Sequence, residues 1–332
     1  MRNLKYLWCS ILFFLNFAEV KADLVQVTQT ENIDSLLVWA ANPKIQKSLR
    51  LKYAHTALEV LKTKPIYGAF TNNCVQLSNV FLTLGRESNY LEVSNLLLKK
   101  STLINDGEGI VWANYIKGIY FYNETEYDSA FYYLSKAEKN NIKLDYKFLS
   151  GLVLSTKAEI LNMKKDYVNS EINSIKALKI AIDEGNNVLI YNCYLSLGNS
   201  LLGLKSEEKA LVYFKNAVDA ADELINLPQY LAFKAQASNY IVTTYLEKED
   251  YKNAIIYAKE AINFSQLKEI NLEIYYDLKN NLSYANFKLN KLKSDKDFLE
   301  ILKIADSIKS KPLQIFTKMH LAEYHLKNKN FA

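Results

Sequence analysis

One period constrains this chain more than any other feature. The segment Glu124-Thr125-Glu126-Tyr127-Asp128-Ser129-Ala130 returns as Lys164-Lys165-Asp166-Tyr167-Val168-Asn169-Ser170, and again as Lys248-Glu249-Asp250-Tyr251-Lys252-Asn253-Ala254. Each is a polar turn, an aromatic, two polar residues and a small one. Tyr127 and Tyr167 lie 40 residues apart, Glu207 holds the same place 40 further on, and Tyr251 follows after 44. A period of that length marks a unit that cannot bury its apolar face alone and must stack on its neighbours.

With units starting at Thr71, Val111, Gly151, Tyr191 and Ala235, the eighth position reads Ser78, Gly118, Ala158, Gly198 and Val242. The eleventh reads Phe81, Phe121, Leu161, Leu201 and Tyr245, and the twentieth Tyr90, Ala130, Ser170, Ala210 and Ala254. The twenty-seventh reads Leu97, Ala137, Ala177, Ala217 and Ala261. This spacing predicts two antiparallel helices per unit. Small residues at positions eight and twenty let the axes approach, and the bulky eleventh fills the groove beside them. Ala at twenty-seven makes room for the next unit's first helix.

Composition agrees. Nine Gly and four Pro in 332 residues cannot supply the left-handed hairpin turns of a sandwich or barrel, or the phosphate loops of a Rossmann fold. With 49% hydrophobic and 23% charged residues the chain is an ordinary globular one, and the expectation is all-α. Pro43, Pro228 and Pro312 are expected at helix starts and Pro65 between helices. Residues 23–66 read as an N-terminal cap of two helices, Glu31 to Asn42 and Pro43 to Lys64. The second carries an apolar stripe of Leu51, Ala54, Ala57, Leu58 and Leu61.

The pattern carried by Gly118, Phe121, Tyr127, Ala130 and Ala137, and again by Gly198, Leu201, Ala210, Phe214 and Ala217, resembles the tetratricopeptide repeat (TPR) superfamily. The resemblance covers residues 67–332, with the last unit incomplete, and implies a right-handed α-solenoid of stacked antiparallel helix pairs. The chain departs from the family in its period of 40 to 44, against ~34 for the commonest form. The consensus Trp and terminal Pro are mostly absent. The unit near Tyr275 has Leu282, Ala285, Phe298 and Ile301 at its key places. In families of this kind the second, fifth, ninth and twelfth positions of the first helices face a ligand groove. The resemblance therefore implies a protein or peptide partner held by Asn72, Asn79, Trp112, Tyr115, Tyr122, Glu159, Asn162, Asn192, Asn199, Gln236, Asn239 and Thr243. Amides can pair with a peptide backbone and aromatics can receive its side chains.

The segment 1–22 reads as a signal peptide. Arg2 and Lys5 precede an apolar run from Tyr6 to Phe17, and Val20-Lys21-Ala22 offers a cleavage site. The expected location is exported, in the periplasm or cell envelope. Removing this segment takes Arg2, Lys5, Lys21 and Glu19 with it and leaves a net charge of +3. The lysines are interspersed with acids, which argues against a nucleic-acid surface. Cys9 leaves with the leader. Cys74 and Cys193 stand three units apart, beyond the reach of a disulfide, and are expected to be buried thiols.

No later run of 18 apolar residues exists. Membrane contact is expected only through the leader or a further C-terminal part. Phe331 aligns with Tyr127, Tyr167 and Tyr251, so the sequence is expected to stop one residue into a second helix. That would leave Ile315, Phe316, Met319, Leu321, Ala322 and Tyr324 uncovered. The composition, leader and long period look like the periplasmic repeat regions of Bacteroidetes TPR regulators. That resemblance implies the sensor or scaffold part of a membrane-bound regulator. The alternative is a stand-alone adaptor of an envelope assembly complex.

Nothing in the sequence points to catalysis. His320 and His325 are five apart, off a common helix face, and neither they nor His55 belong to a metal-ligand pattern. Gly107-Glu108-Gly109 lacks a preceding strand and a third Gly, and reads as a linker. No nucleophile–base pair stands out, so the expectation is a non-enzyme without cofactor or metal.

Overall fold

A computed structural model describes residues 32–328, apart from 226, 228, 229, 265 and 293. The expected leader over residues 1–22, Pro228 and Phe331 lie outside the described residues. Among the described residues there are sixteen helices and no strand. They are α1 (Ile33–Ala41), α2 (Lys47–Thr63), α3 (Phe70–Thr83), α4 (Glu87–Leu103), α5 (Gly107–Asn123), α6 (Tyr127–Asn141), α7 (Lys147–Met163) and α8 (Tyr167–Asp183). They continue as α9 (Asn187–Gly203), α10 (Glu207–Asp222), α11 (Tyr230–Glu247), α12 (Tyr251–Ile262), α13 (Leu267–Ile270), α14 (Leu272–Lys288), α15 (Lys296–Ser307) and α16 (Lys311–Asn328). The helices α5, α7 and α9 are each 17 residues long and start 40 apart. The longer step between Glu207 and Tyr251 arises in the connection between α10 and α11.

The turns explain this regularity. Gly85, Asn105, Thr125, Asp145, Lys165, Gly185 and Lys205 follow one another at a constant spacing of half a repeat, and all have positive φ. The residue after most of them sends its N–H back five positions. Glu126 N–H reaches the Phe121 carbonyl at 2.9 Å, Asp166 that of Leu161 at 2.8 Å and Ser206 that of Leu201 at 2.9 Å. The left-handed residue itself donates three back, as Thr125 does to Tyr122 at 3.0 Å. This Schellman arrangement satisfies the last carbonyls of the helix and stops it sharply. Only Gly85 and Gly185 among these seven are glycines; the others carry a Cβ into the left-handed region, at a cost of about 1–2 kcal/mol each. Several of the next helices are capped at once. Asp166, Asn186 and Asp250 accept from the N–H three residues on at 3.3, 2.9 and 3.2 Å. So short a reversal leaves successive helices antiparallel neighbours.

Local expectations shift in three places. Pro43 sits in the turn before α2, which starts only at Lys47, whereas Pro312 lies in the first turn of α16. Gly107 to Gly109 is not a linker but the first turn of α5, next to the Asp106 carboxylate that accepts from Thr71 and Ser101. A Cβ on Gly109 would overlap the Ser101 hydroxyl. On α16, Ile315, Met319 and Ala322 are exposed and Phe316 and Leu321 half-buried, but Tyr324 is buried against Phe287 and Phe298.

By their contacts the helices form two compact units that divide within α7, between Ile160 and Leu161. In the first, α1 to α6 pack in succession, with α1 and α2 both against α3. Gly118, Ala130, Ala137 and Ala158 are buried there, while Phe121 is half-buried and stacks on Tyr133 at 5.2 Å. In the second unit α8 to α12 pack in succession, followed by the group α14, α15 and α16. Ala177, Gly198, Ala210, Ala217, Ala254 and Ala261 are buried in it. The Phe214 ring occupies the space a side chain at Gly198 would need, and the Tyr167 ring does the same at Gly203. The last group instead fills its centre with Tyr276, Phe287, Phe298, Ile301, Leu313 and Tyr324. Cys74 and Cys193 are buried thiols in no disulfide, and burial pushes the Cys74 thiol up to about 12.

Candidate functional site

The sequence-predicted ligand residues fall on first helices of both units. In the first unit, Asn79 lies half-buried on α3, and Asn72 is exposed. Trp112, Tyr115 and Tyr122 on α5 and Glu159 on α7 are each more than nine-tenths buried. The Trp112 ring lies edge-on to Tyr115 at 5.8 Å and to Tyr146 at 6.4 Å, and Tyr122 lies 6.2 Å from Tyr127. Tyr115 is hydrogen-bonded to Thr156. Burial, and then the charge of Glu159, push its phenol above the usual range. The same two causes raise Tyr127. This unit therefore encloses one carboxylate among protonated phenols and an indole, a setting with an apolar body and polar tips.

In the second unit the predicted residues are mostly amides, and Asn192, Gln236 and Asn239 are each more than nine-tenths buried. Asn192 and Asn199 project from α9, and Gln236, Asn239 and Thr243 from α11. Asn192 and Gln236 share the second register position of consecutive units. The ladder extends to a residue that the sequence reading had not placed in the groove. Asn281 on α14 donates its Nδ2 to Asn239 Oδ1 at 2.7 Å. Its signal was the 42-residue step from Asn239, hidden because the last units drift from the 40-residue clock. The Gln236 Oε1 atom is buried with no hydrogen-bond partner among the described residues, and so is the Asn280 Oδ1 atom. The Thr243 hydroxyl donates to the Tyr240 carbonyl of its own helix at 3.0 Å.

Asn162 departs from the expected role. Its Nδ2 donates to the Ser196 carbonyl at 3.1 Å, and its Oδ1 accepts from the Ser200 hydroxyl at 3.0 Å. Ser196 in turn accepts from Ser174 at 2.8 Å, and the Ser170 hydroxyl lies 2.9 Å from that of Ser200, which can accept from it. Asn162 thus belongs to a buried network that joins α7, α8 and α9, with both ends of its amide engaged. A short side chain surrounded by hydroxyls satisfies itself locally before it can reach a ligand.

The histidines make packing contacts. The His320 ring stacks on Tyr284 at 3.9 Å, His55 lies 5.4 Å from Phe81, and His325 Nε2 lies 3.4 Å from Asp295. Among the described residues no group of His, Cys, Asp and Glu is arranged to hold a metal ion.

No protein-family model matches the chain, and no curated protein matches it. Solved structures do. The apo form of RapI superposes with a TM-score of 0.61 at 16% identity, covering 89% of this chain and 80% of that one. The apo form of the quorum sensor NprR from B. thuringiensis gives 0.58 at 16% identity, over 90% and 81%. NprR in complex with its cognate peptide NprX gives 0.57 at 16% identity, over 90% and 84%. At this identity the likeness is one of fold, and the fold of this chain is the TPR-like stack of antiparallel helix pairs.

Proposed function

We propose that this chain is an exported helical-repeat module that binds a peptide or an extended protein segment. The binding face is the amide row of α9, α11 and α14, and the module uses no cofactor and performs no reaction of its own. The observation that carries this reading is the buried Gln236 Oε1 without a hydrogen-bond partner among the described residues. An orphaned buried acceptor costs about 1–3 kcal/mol, which a backbone N–H of a bound strand would recover. Asn192 and Asn239, with both donor and acceptor on one amide, suit the alternating N–H and C=O of such a strand. A structure of like fold, NprR, is in complex with a peptide, NprX, and this supports the same class of partner here. The leader-like segment from Met1 to Ala22 supports an extracytoplasmic site and a sensor or scaffold role in a membrane-bound regulator. The dispersed charge gives nucleic acid no surface.

The test is a selection from a displayed library of random peptides on the purified full chain, with affinities read by fluorescence anisotropy. Asn192→Ala and Gln236→Leu are each expected to weaken the enriched peptides about tenfold, the worth of one hydrogen bond at a desolvated site. Lys252→Ala, on the exposed side of α12, leaves the affinity unchanged. A library that yields no binder, or binders indifferent to both amide substitutions, overturns the reading.

A further inference from the structure

Turns between helices are ordinarily polar, built from Gly, Asn, Asp and Ser. Two turns of the first unit break this rule. The α4–α5 turn carries Leu103 and Ile104, 77% and 58% exposed, and the α6–α7 turn carries Ile142 and Leu144, 75% and 43% exposed. Both follow second helices, so both lie at the same edge of the stack. They also touch. Leu144 rests on Gly107, the residue that starts α5, where an added Cβ would stand 3.1 Å from Leu144 Cδ2. The four exposed aliphatic side chains thus sit on adjacent turns at one edge of the unit, an apolar rim.

The rim is set among cations. Exposed Lys99 precedes Leu103 by one helical turn, exposed Lys139 precedes Ile142 by three residues, and exposed Lys143 stands between Ile142 and Leu144. Lys147 is taken by Asp145 at 2.5 Å, and Glu108 is the exposed acid on the other side. The equivalent turns of the second unit differ in charge. Ile182 is followed by Asp183 and Glu184, and Ile225 is preceded by Asp222 and Glu223.

We propose that the Leu103–Ile104 and Ile142–Leu144 turns dock the first unit on an anionic lipid bilayer. Aliphatic tips standing in water at an edge suit the boundary of the hydrocarbon, and ammonium groups around them suit anionic headgroups. A protein partner would call for exposed aromatic anchors in a packed centre, and the aromatics beside this edge, Tyr146 and Phe148, are half-buried, with Tyr146 edge-on to Trp112 of its own unit. A second copy meeting the same rim about a two-fold axis would set Lys99, Lys139 and Lys143 against their own equivalents. The contact is independent of the amide face, since none of its residues belongs to that row. It adds a membrane contact that neither the leader nor a further C-terminal part accounts for.

The test uses the full chain with Cys9→Ser and Ile142→Cys, carrying an environment-sensitive dye on position 142. The buried Cys74 and Cys193 thiols stay unlabelled. A dye at position 142 reports its own surroundings, whatever the apolar run from Tyr6 to Phe17 does. Vesicles of phosphatidylcholine with about 30% phosphatidylglycerol are expected to shift its emission to the blue, and doxyl-labelled lipids to quench it. Phosphatidylcholine alone does neither. The same dye at Ile182→Cys stays water-exposed. Lys139→Gln with Lys143→Gln lowers the partition coefficient about thirtyfold, from roughly a factor of five for each lysine. Equal responses at positions 142 and 182, or none at 142, overturn the proposal. A blue shift that rises with protein concentration without vesicles also overturns it, in favour of self-association.

Discussion

A Cβ on Gly118 would stand 2.6 Å from Leu134 Cγ, so the first helix of this pair meets the second with backbone rather than side chain. The same economy recurs two pairs on, where the Phe214 ring fills the place of a side chain on Gly198. Close approach of the two axes is what lets a bulky residue of the second helix sink between them. Gly118→Ala and Gly198→Ala are therefore expected to cost about 1–3 kcal/mol each by overpacking, and Ala210→Leu a similar amount. Thermal or denaturant unfolding measures this. An unchanged midpoint for all three would remove the close-packed register from the account.

The left-handed turns make a second prediction, of opposite sign. Thr125 is β-branched and sits at φ 64°, and Lys165 and Lys205 sit at 63° and 59°. Relief of the steric cost by Gly exceeds the entropy that Gly adds to the unfolded chain. Thr125→Gly is expected to stabilise by about 0.5–1 kcal/mol. Gly185→Ala, at φ 64°, destabilises by about 1 kcal/mol. Equilibrium urea titration distinguishes the two directions.

The third prediction concerns pH. Glu323 on α16 accepts from Lys288 at 2.8 Å and from the Tyr284 hydroxyl at 2.7 Å, both on α14. Burial alone would raise the Glu323 carboxyl, but these two bonds outweigh it and hold it below the usual range. A depressed carboxyl contributes stability that is present above its unfolded pKa and lost as pH falls through the folded one. Stability is expected to drop as pH falls below about 4.5, and Glu323→Gln to flatten that drop. Burial, and then the bond to Glu323, push Tyr284 from 10.0 up to about 12. A raised phenol contributes stability that is complete below its unfolded pKa and lost as pH rises through the folded one. Tyr284→Phe therefore flattens the alkaline limb between pH 10.0 and about 12. Melting temperatures across both limbs, for wild type and the two variants, test the assignment.

The serine and asparagine network around Asn162 gives a fourth. Asn162→Ala strands the Ser196 carbonyl and the Ser200 hydroxyl from one partner each, and is expected to cost about 1–2 kcal/mol. Peptide affinity stays at the wild-type value. A large loss of affinity with unchanged stability would instead return Asn162 to the ligand face.

The sequence alone determined the architecture, because the architecture is a repeated local event. An aromatic at Tyr127, Tyr167 and Tyr251, a small residue three places on, and an Ala seven beyond that are enough to specify two helices and the side on which they meet. Everything in that pattern lies within a single repeat, and stacking multiplies it. The sequence also picked out the first-helix positions, since Asn192, Asn239 and Thr243 share a phase that helical geometry converts into a face. Only the tertiary structure decided what each of those side chains does. Asn162 and Asn199 are the same residue type on neighbouring first helices, yet Asn162 is consumed by hydroxyls from α9 that no local pattern announces. Asn281 joins Asn239 because α11 and α14, first helices of successive units, are set side by side. The exposure of Ile142 and the approach of Leu144 to Gly107 at the start of α5 likewise follow from stacking. Periodicity fixes which way a residue points, but the partner it meets comes from another turn of the stack, and that distance is not written in any one repeat.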